Sequence, residues 1–374
     1  MRAKGLFFWV GNGKLPSMTR TLLSVAALTA LATPAFAQEA ADAPPSPNQI
    51  VEQAAAEEWV RIAPEDLLVM TLAPDAAGNE RTVVIQLMPP PFSQGWVKNI
   101  RTLARAGWYD GITVNRVQDN YVVQWGDPNY DNPEATGEAK PLPEGLRVMD
   151  EEDYVVLPDQ DTIDALEDEV KRRTQITTER LIYANTLDLP LNLEELEKIT
   201  DAFPGAAVFP HDAYAISGIV YDGWALGGSD IGGRMMWPVH CYGMVGVGRG
   251  YSPDTGSGAE LYTVIGHAPR HLDRNIALVG RVVEGIEHLS SLPRGKGQLG
   301  FYEDAERRTP ILSIRVASDL PPSEQPAFEY LSTEGPTFAR YAEARANRRD
   351  PFFIVPAGGA DICNSPVPVR RVDE

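Results

Sequence analysis

Two runs of apolar, β-branched residues give the clearest pattern in the first third of the chain. They are DLLVMTL at 66–72 and RTVVIQL at 81–87, and the segment PDAAGNE between them supplies the turn formers proline and glycine. The pair predicts a β-hairpin. Apolar residues at helical spacing in WVKNIRTLARA, at 96–106, predict a helix that ends at Gly107. A shorter helix is predicted before the hairpin, at 49–60.

A second pair of β-type runs, ITVNRV at 112–117 and YVVQW at 121–125, flanks the polar turn QDN. Strict alternation in the first run places Arg116 on the same face as Ile112 and Val114. A charge on an apolar face needs a partner, or a cavity in which its donors are used. Arg116 is therefore either half of a structural ion pair or the centre of a site.

The composition changes at 128–239, where acidic clusters accompany two helical patterns, at 163–184 and 193–203. The longer pattern begins with acids followed by bases, which suits the helix dipole. We expect this region to be an insertion packed on the main domain, with its charges on a solvated face. Strand-type runs resume after it and end with PILSIRVASDL at 310–320, and the tail contains one predicted helix at 338–349.

Length, composition and net charge limit the class of protein to which the chain can belong. The chain has 374 residues, of which 43% are hydrophobic, enough for a sizeable core in one large domain or two smaller ones. Its 31 prolines and 32 glycines indicate many turns and favour a β or mixed architecture over a helical bundle. The 33 basic residues against 52 acidic ones give a net charge of −19, which argues against nucleic acid and anionic membranes as partners.

Residues 18–37, MTRTLLSVAALTALATPAFA, combine a basic residue, an apolar run and a small-x-small ending. This pattern predicts a signal peptide cleaved after Ala37, and hence a periplasmic or secreted protein. The apolar run is short for a membrane span, so no stable membrane insertion is expected after cleavage. The signal does not need residues 1–17, which makes Met18 an alternative start. The Ala/Pro-rich run at 38–48 is predicted to be a linker.

The sequence contains two cysteines, Cys241 and Cys363. An exported protein encounters conditions in which disulfides persist, so the two could pair. The sequence gives no distance between them and leaves a disulfide and two free thiols equally open. Their wide separation lacks the close CxxC pairs that zinc and iron–sulfur sites use, so no metal site is expected there.

Four blocks of sequence carry a family resemblance. The longest is WVKNIRTLARAGWYDGITVNRVQDNYVVQWGDP, and HCYGMVGVGRG, GAELYTVIGHAPRHLDRNIALVGRVVEG and TPILSIRV follow it in order. These blocks resemble the cyclophilin-type peptidyl-prolyl isomerases. The resemblance implies a mainly β fold, a closed eight-stranded antiparallel β-barrel capped by two helices. That domain would span 49–320, with the insertion inside it and a C-terminal extension at 321–374.

The resemblance also implies a chemistry. Rotation about an X-Pro amide meets a resonance barrier of about 18–20 kcal/mol and takes tens to hundreds of seconds without a catalyst. A guanidinium that donates a hydrogen bond to the prolyl nitrogen as it pyramidalises favours the twisted transition state over the planar ground states. Arg116 matches the family's arginine in this role. Proline-containing polypeptides would be the substrates, and no metal, nucleotide or other cofactor is required.

The resemblance assigns the residues around this arginine as well. Gln124 matches the glutamine that reaches the substrate backbone and helps to hold the arginine. The full set of expected substrate-binding residues is Tyr121, Val122, Gln124, Gly248, Arg249, Tyr262, Leu272 and His271. The alternative interpretation of Arg116 is an ion pair with Asp110 or Asp127.

Several of these positions depart from the family pattern. Tyr121 and Tyr262 replace phenylalanines, Val122 replaces a methionine, and His271 stands where many members have a tryptophan. These changes make the pocket more polar and predict a narrower or shifted substrate range. They also leave a second hypothesis, a cyclophilin-fold binding protein that holds proline-containing segments without turnover. The insertion and the C-terminal extension would then supply contacts to the partner.

Overall fold

The structure of the protein is a computed structural model. It describes residues 44–130, 135–157, 212–229, 235–350, 352–355 and 357–372. The predicted signal peptide, most of the predicted linker and the predicted helices at 163–184 and 193–203 lie outside these residues.

Strands dominate the described residues and helices are few. The strands are β1 (Trp59–Arg61), β2 (Leu67–Leu72), β3 (Arg81–Leu87), β4 (Thr113–Val117), β5 (Val122–Gly126), β6 (Ser217–Tyr221), β7 (Trp224–Gly228), β8 (Met236–Pro238), β9 (Met244–Val247), β10 (Leu261–Val264), β11 (Leu278–Glu284), β12 (Thr309–Val316), β13 (Phe328–Leu331) and β14 (Val369–Arg371). The α-helices are α1 (Pro47–Glu52), α2 (Gln94–Arg105), α3 (Glu287–Ser290) and α4 (Pro336–Ala346).

Eight of the strands close into a barrel in the order β10-β5-β4-β12-β2-β3-β11-β9, with β9 paired to β10. Neighbouring strands are antiparallel throughout. The predicted hairpin is formed by β2 and β3, in register from Leu67 opposite Gln86 to Leu72 opposite Arg81. The expected mainly β fold with a closed eight-stranded barrel is confirmed.

Helix α2 covers the barrel with one apolar face. Trp96, Ile100 and Leu103, the residues that predicted this helix, are fully buried in the main core together with side chains from the barrel strands. The short helix α3 packs near β3. No helix among the described residues is long and apolar enough to cross a membrane.

The helix predicted at 49–60 is shorter in the structure. Helix α1 begins at Pro47, is capped by Ser46 through a reciprocal hydrogen-bonded box with Gln49, and ends at Glu52. The chain then turns into β1, where Trp59 pairs with Leu331 of β13. The prediction was wrong at its C-terminal half because a strand pairing with a distant segment overrides local helical propensity.

The predicted alternation around Arg116 was also wrong. A β-bulge in β4 inserts Asn115 between the pairs Val114–Trp125 and Arg116–Gln124. The extra residue reverses the face of the sheet on which each following side chain lies. Val114 therefore lies in the barrel core while Arg116 lies on the outer face. The arginine therefore does not share a face with the apolar residues of its strand.

The segments outside the barrel pack on its surface, where they form two further sheets and a separate apolar cluster. Strands β6, β7 and β8 of the predicted insertion form one three-stranded sheet, and β1, β13 and β14 form another. A separate apolar cluster joins α1, the insertion and the C-terminal extension. Cys241 and Cys363, whose pairing the sequence left open, form a disulfide that links the end of the insertion to the extension.

Candidate active site

A cavity of about 910 Å³ lies on the outer face of strands β4, β5, β9 and β10. Eight of the nine residues proposed from the sequence line it: Arg116, Tyr121, Val122, Gln124, Gly248, Arg249, Tyr262 and Leu272. The ninth, His271, lies behind the cavity wall, where its ring stacks on Tyr121 with centroids 6.3 Å apart. The structure thus brings together residues that are up to 156 positions apart in the sequence.

Arg116 is anchored by neutral groups. Its Nε donates to the Leu299 carbonyl oxygen at 2.7 Å, Nη1 donates to Gln124 Oε1 at 3.1 Å, and Nη2 donates to Gln118 Oε1. The rings of Tyr121 and Phe301 each lie 5.6 Å from the guanidinium carbon. A guanidinium has five N–H donors, so these contacts leave two of them without a partner within the described part of the chain.

The ion-pair interpretation of Arg116 is contradicted. Asp110 binds Arg315 with both oxygens, at 2.6 and 2.7 Å. Asp127 instead accepts backbone N–H groups, from Asn129 at 3.1 Å and Lys140 at 2.5 Å. Among the described residues no carboxylate forms a salt bridge with Arg116. Burial lowers the pKa of Arg116 from its ordinary value, while the nearby Tyr121 opposes this effect.

The wall beside Arg116 is apolar. Val122, Tyr262 and Val264 form a small buried cluster on the outer face of β5 and β10, and Tyr121 and Ile276 pack against it. Tyr262 lies opposite Gln124 on one side and opposite Gly246 on the other. The cavity therefore presents a cation with unused donors next to a surface that can hold an apolar ring.

Sequence comparison with the family missed part of the site. Leu299 and Phe301, which contact Arg116, come from a loop outside the quoted blocks. Glu260 also lines the cavity, and its carboxylate lies so close to Gly126 that a Cβ there would be 1.9 Å from Oε1. A side chain at the glycine of the Q-x-G-D motif would displace the Glu260 carboxylate, a relation that no local pattern reveals.

Behind Tyr262 lies a chain of buried polar side chains. The Tyr262 hydroxyl is 2.8 Å from His240 Nε2, and His240 Nδ1 is 2.8 Å from Asp273 Oδ1. Arg270 continues the chain, donating from Nε to Asp273 Oδ2 at 2.6 Å and from Nη1 to Asp212 Oδ2 at 2.5 Å. His240 is completely buried. This histidine is the first residue of the block HCYGMVGVGRG, but the resemblance assigned it no role.

A second cavity, of about 760 Å³, adjoins this chain of polar side chains. Tyr121 lines both cavities, and the stacked pair Tyr121–His271 separates them. Asp212 and Arg270, at the end of the polar chain, lie in the wall of the second cavity. The predicted site residue His271 therefore supports Tyr121 from the far side.

The buried histidine predicts a pH dependence of stability. Burial lowers the pKa of His240 below its ordinary value of 6.5, with Arg270 and His271 acting in the same direction and Asp273 opposing them. The unfolded chain then takes up a proton at this residue before the folded protein does. We expect stability to fall as the pH drops below about 6.5, by up to about 1.4 kcal/mol per pH unit. Urea unfolding between pH 8 and pH 5 measures this loss. His240→Gln should have a shallower slope, and an equal slope would contradict the assignment to His240.

Comparisons with known proteins identify the family of the chain. The family model described as cyclophilin type peptidyl-prolyl cis-trans isomerase/CLD matches residues 82–316. No curated protein sequence matches the chain.

The chain also matches solved structures. The crystal structure of cyclophilin AquaCyp293 from Hirschia baltica superposes with a TM-score of 0.54 at 20% sequence identity, covering 85% of this chain and 98% of that one. A cyclophilin type peptidyl-prolyl cis-trans isomerase from Cryptosporidium parvum matches with a TM-score of 0.33 at 12% identity, covering 67% and 96%. The family model spans well over half of the sequence, and the chain therefore belongs to the cyclophilin-type peptidyl-prolyl cis-trans isomerase family.

Proposed function

We propose that this protein accelerates cis/trans rotation of X-Pro bonds in exported polypeptides, and so assists their folding, through Arg116 in the cavity described above. The observation that carries the proposal is that Arg116 keeps two N–H donors unused, within the described residues, beside an apolar wall. The proline ring would pack against Val122, Tyr262 and Leu272. That contact excludes water from the bond being twisted.

Arg116 lowers the barrier by favouring the transition state alone. In either planar form the prolyl nitrogen lone pair is delocalised into the carbonyl group and is a poor acceptor. As the bond twists, the lone pair localises on nitrogen and can accept a hydrogen bond from an unused guanidinium N–H. An interaction that strengthens only at the transition state raises kcat. Gln124, Gln118 and the Leu299 carbonyl hold the guanidinium in place, so little reorganisation is needed when the bond twists.

Export is supported by two features. The pattern at 18–37 has the composition of a cleavable signal peptide. The Cys241–Cys363 disulfide is of a kind that persists in oxidising compartments. The clients would accordingly be proline-containing proteins of the periplasm or the medium. Fractionation followed by N-terminal sequencing tests this, since mature protein beginning at Gln38 outside the cytoplasm is expected and uncleaved cytoplasmic protein would contradict export.

Exchange spectroscopy by NMR on a short proline peptide tests the catalytic proposal. Residues 38–374 at catalytic concentration should increase the cis/trans exchange rate well above the uncatalysed rate. A matched titration at higher concentration measures peptide binding. Binding without faster exchange would reject the isomerase and support the binding protein instead.

A further inference from the structure

The buried chain behind Tyr262 fixes the protonation of His240. Asp273 Oδ1 accepts both the His240 backbone N–H at 3.0 Å and the ring Nδ1–H at 2.8 Å, while its Oδ2 accepts from Arg270. A carboxylate in these contacts has no proton to donate, so Nδ1 carries the hydrogen. The neutral ring then offers the Nε2 lone pair, and the Tyr262 hydroxyl donates to it at 2.8 Å.

The tyrosine ring has little room to adopt another orientation. It crosses Gly246, where a Cβ would come within 2.3 Å of the hydroxyl oxygen. The His240 ring lies nearly parallel to it, at 10° and with centroids 6.3 Å apart. Tyr262 is 4% exposed and His240 is fully buried, so solvent offers the hydroxyl no ready substitute for the histidine.

We propose that His240 is a positioning residue of the proline cavity: by accepting the Tyr262 hydroxyl it holds the tyrosine ring as the wall on which the substrate's proline packs. A phenylalanine at this position would need no such partner. A buried tyrosine hydroxyl without one is unfavourable, and the ring would move or admit water to relieve it. The inference rests on the proposed function, because it names what orients one wall of that site.

The support for this wall comes from outside the barrel strands. His240 lies between β8 and β9, immediately before Cys241 and its disulfide to the extension. Asp212, which binds Arg270 at the far end of the chain, belongs to the predicted insertion. The insertion thereby supports the proline cavity from behind.

A double-mutant cycle tests the pairing. His240→Leu leaves the Tyr262 hydroxyl buried without an acceptor, and we expect KM for a proline peptide to rise about 10-fold, with kcat changing less than about threefold. Tyr262→Phe keeps the ring but leaves Nε2 unpaired, and should raise KM about threefold. Independent effects would multiply to about 30-fold in the double variant. Because the Tyr262 hydroxyl and the His240 ring are each other's hydrogen-bond partners, KM of the double variant should instead rise only about threefold, as in Tyr262→Phe.

Two further variants keep the test decisive. His240→Gln supplies an amide oxygen that can accept the hydroxyl, so its KM should be closer to wild type than that of His240→Leu. His288→Leu, on helix α3 and outside the cavity, should leave KM unchanged. Multiplicative effects in the double variant, or a His240→Leu protein with unaltered KM, would overturn the proposal.

Nitrogen-15 NMR of the wild-type protein provides a readout that does not depend on activity. At pH 7, His240 should show a protonated Nδ1 and an unprotonated Nε2, and the Nε2 signal should shift in Tyr262→Phe. A protonated Nε2 would overturn the proposal. If the wild type does not accelerate exchange, the proposed function fails, while the dissociation constants of the same peptide for the same variants still test the positioning role.

Discussion

Replacing Arg116 with lysine is expected to lower kcat/KM for a proline peptide about 100-fold, the size of effect seen when one preorganised donor to a transition state is removed. Lysine keeps the positive charge but has one compact ammonium group in place of a planar fork. It cannot contact Gln124 and the Leu299 carbonyl and still aim a donor at the prolyl nitrogen. The loss would therefore show that catalysis requires the planar arrangement of donors in the guanidinium, and not its charge alone.

NMR exchange at several peptide concentrations separates the two kinetic constants. The loss should appear mainly in kcat, because the donor acts as the bond twists. Arg105→Lys is the matched control. That arginine lies on α2 and pairs with Glu65 and Asp319 at the surface, and its variant should keep wild-type activity. An Arg116→Lys protein with wild-type kcat/KM would exclude the proposed role of the guanidinium.

Removing the disulfide is expected to destabilise the folded protein strongly. We expect the double variant Cys241→Ser with Cys363→Ser to lose about 3 kcal/mol of unfolding free energy. The two cysteines are 122 residues apart, so the bond closes a long loop and restricts the unfolded chain strongly. It also fixes the C-terminal extension next to the segment that carries His240.

Urea denaturation of the oxidised wild type and the double variant measures this difference. Treating the wild type with a reductant should reproduce the loss, and the same reductant should leave the double variant unchanged. Equal stability of oxidised wild type and double variant would show that the bond contributes little.

The sequence predicted the elements whose signals are local. The β2–β3 hairpin and helix α2 follow from apolar periodicity with proline or glycine at the ends, and the structure has both. The barrel came from the motif resemblance. Strand runs alone do not determine which strands pair.

The errors arose where distant contacts decide the local structure. Helix α1 stops early because Trp59 is needed in a strand with Leu331. Alternation misplaced Arg116 because a bulge adds one residue that a period-two pattern does not contain. The disulfide depended on a distance between two cysteines that no sequence gives.

The residue types that line the pocket do not by themselves determine its polarity. Tyrosine at 262 suggested a more polar wall than phenylalanine. In the structure its hydroxyl binds buried His240, so the polar atom is paired away from the substrate and the ring remains as an apolar surface. The partner that makes this possible lies 22 residues away, at the start of the block HCYGMVGVGRG, and the family resemblance assigned it no role.

In the proposed mechanism Arg116 acts on the twisting bond and not on substrate binding. The most direct measurement compares wild type with Arg116→Ala at saturating peptide, using NMR to obtain the exchange rate of the bound peptide and its dissociation constant. This mechanism predicts that bound-state exchange slows at least about 100-fold while the dissociation constant changes only a few-fold. Bound-state exchange that stays at the wild-type rate in Arg116→Ala would contradict it.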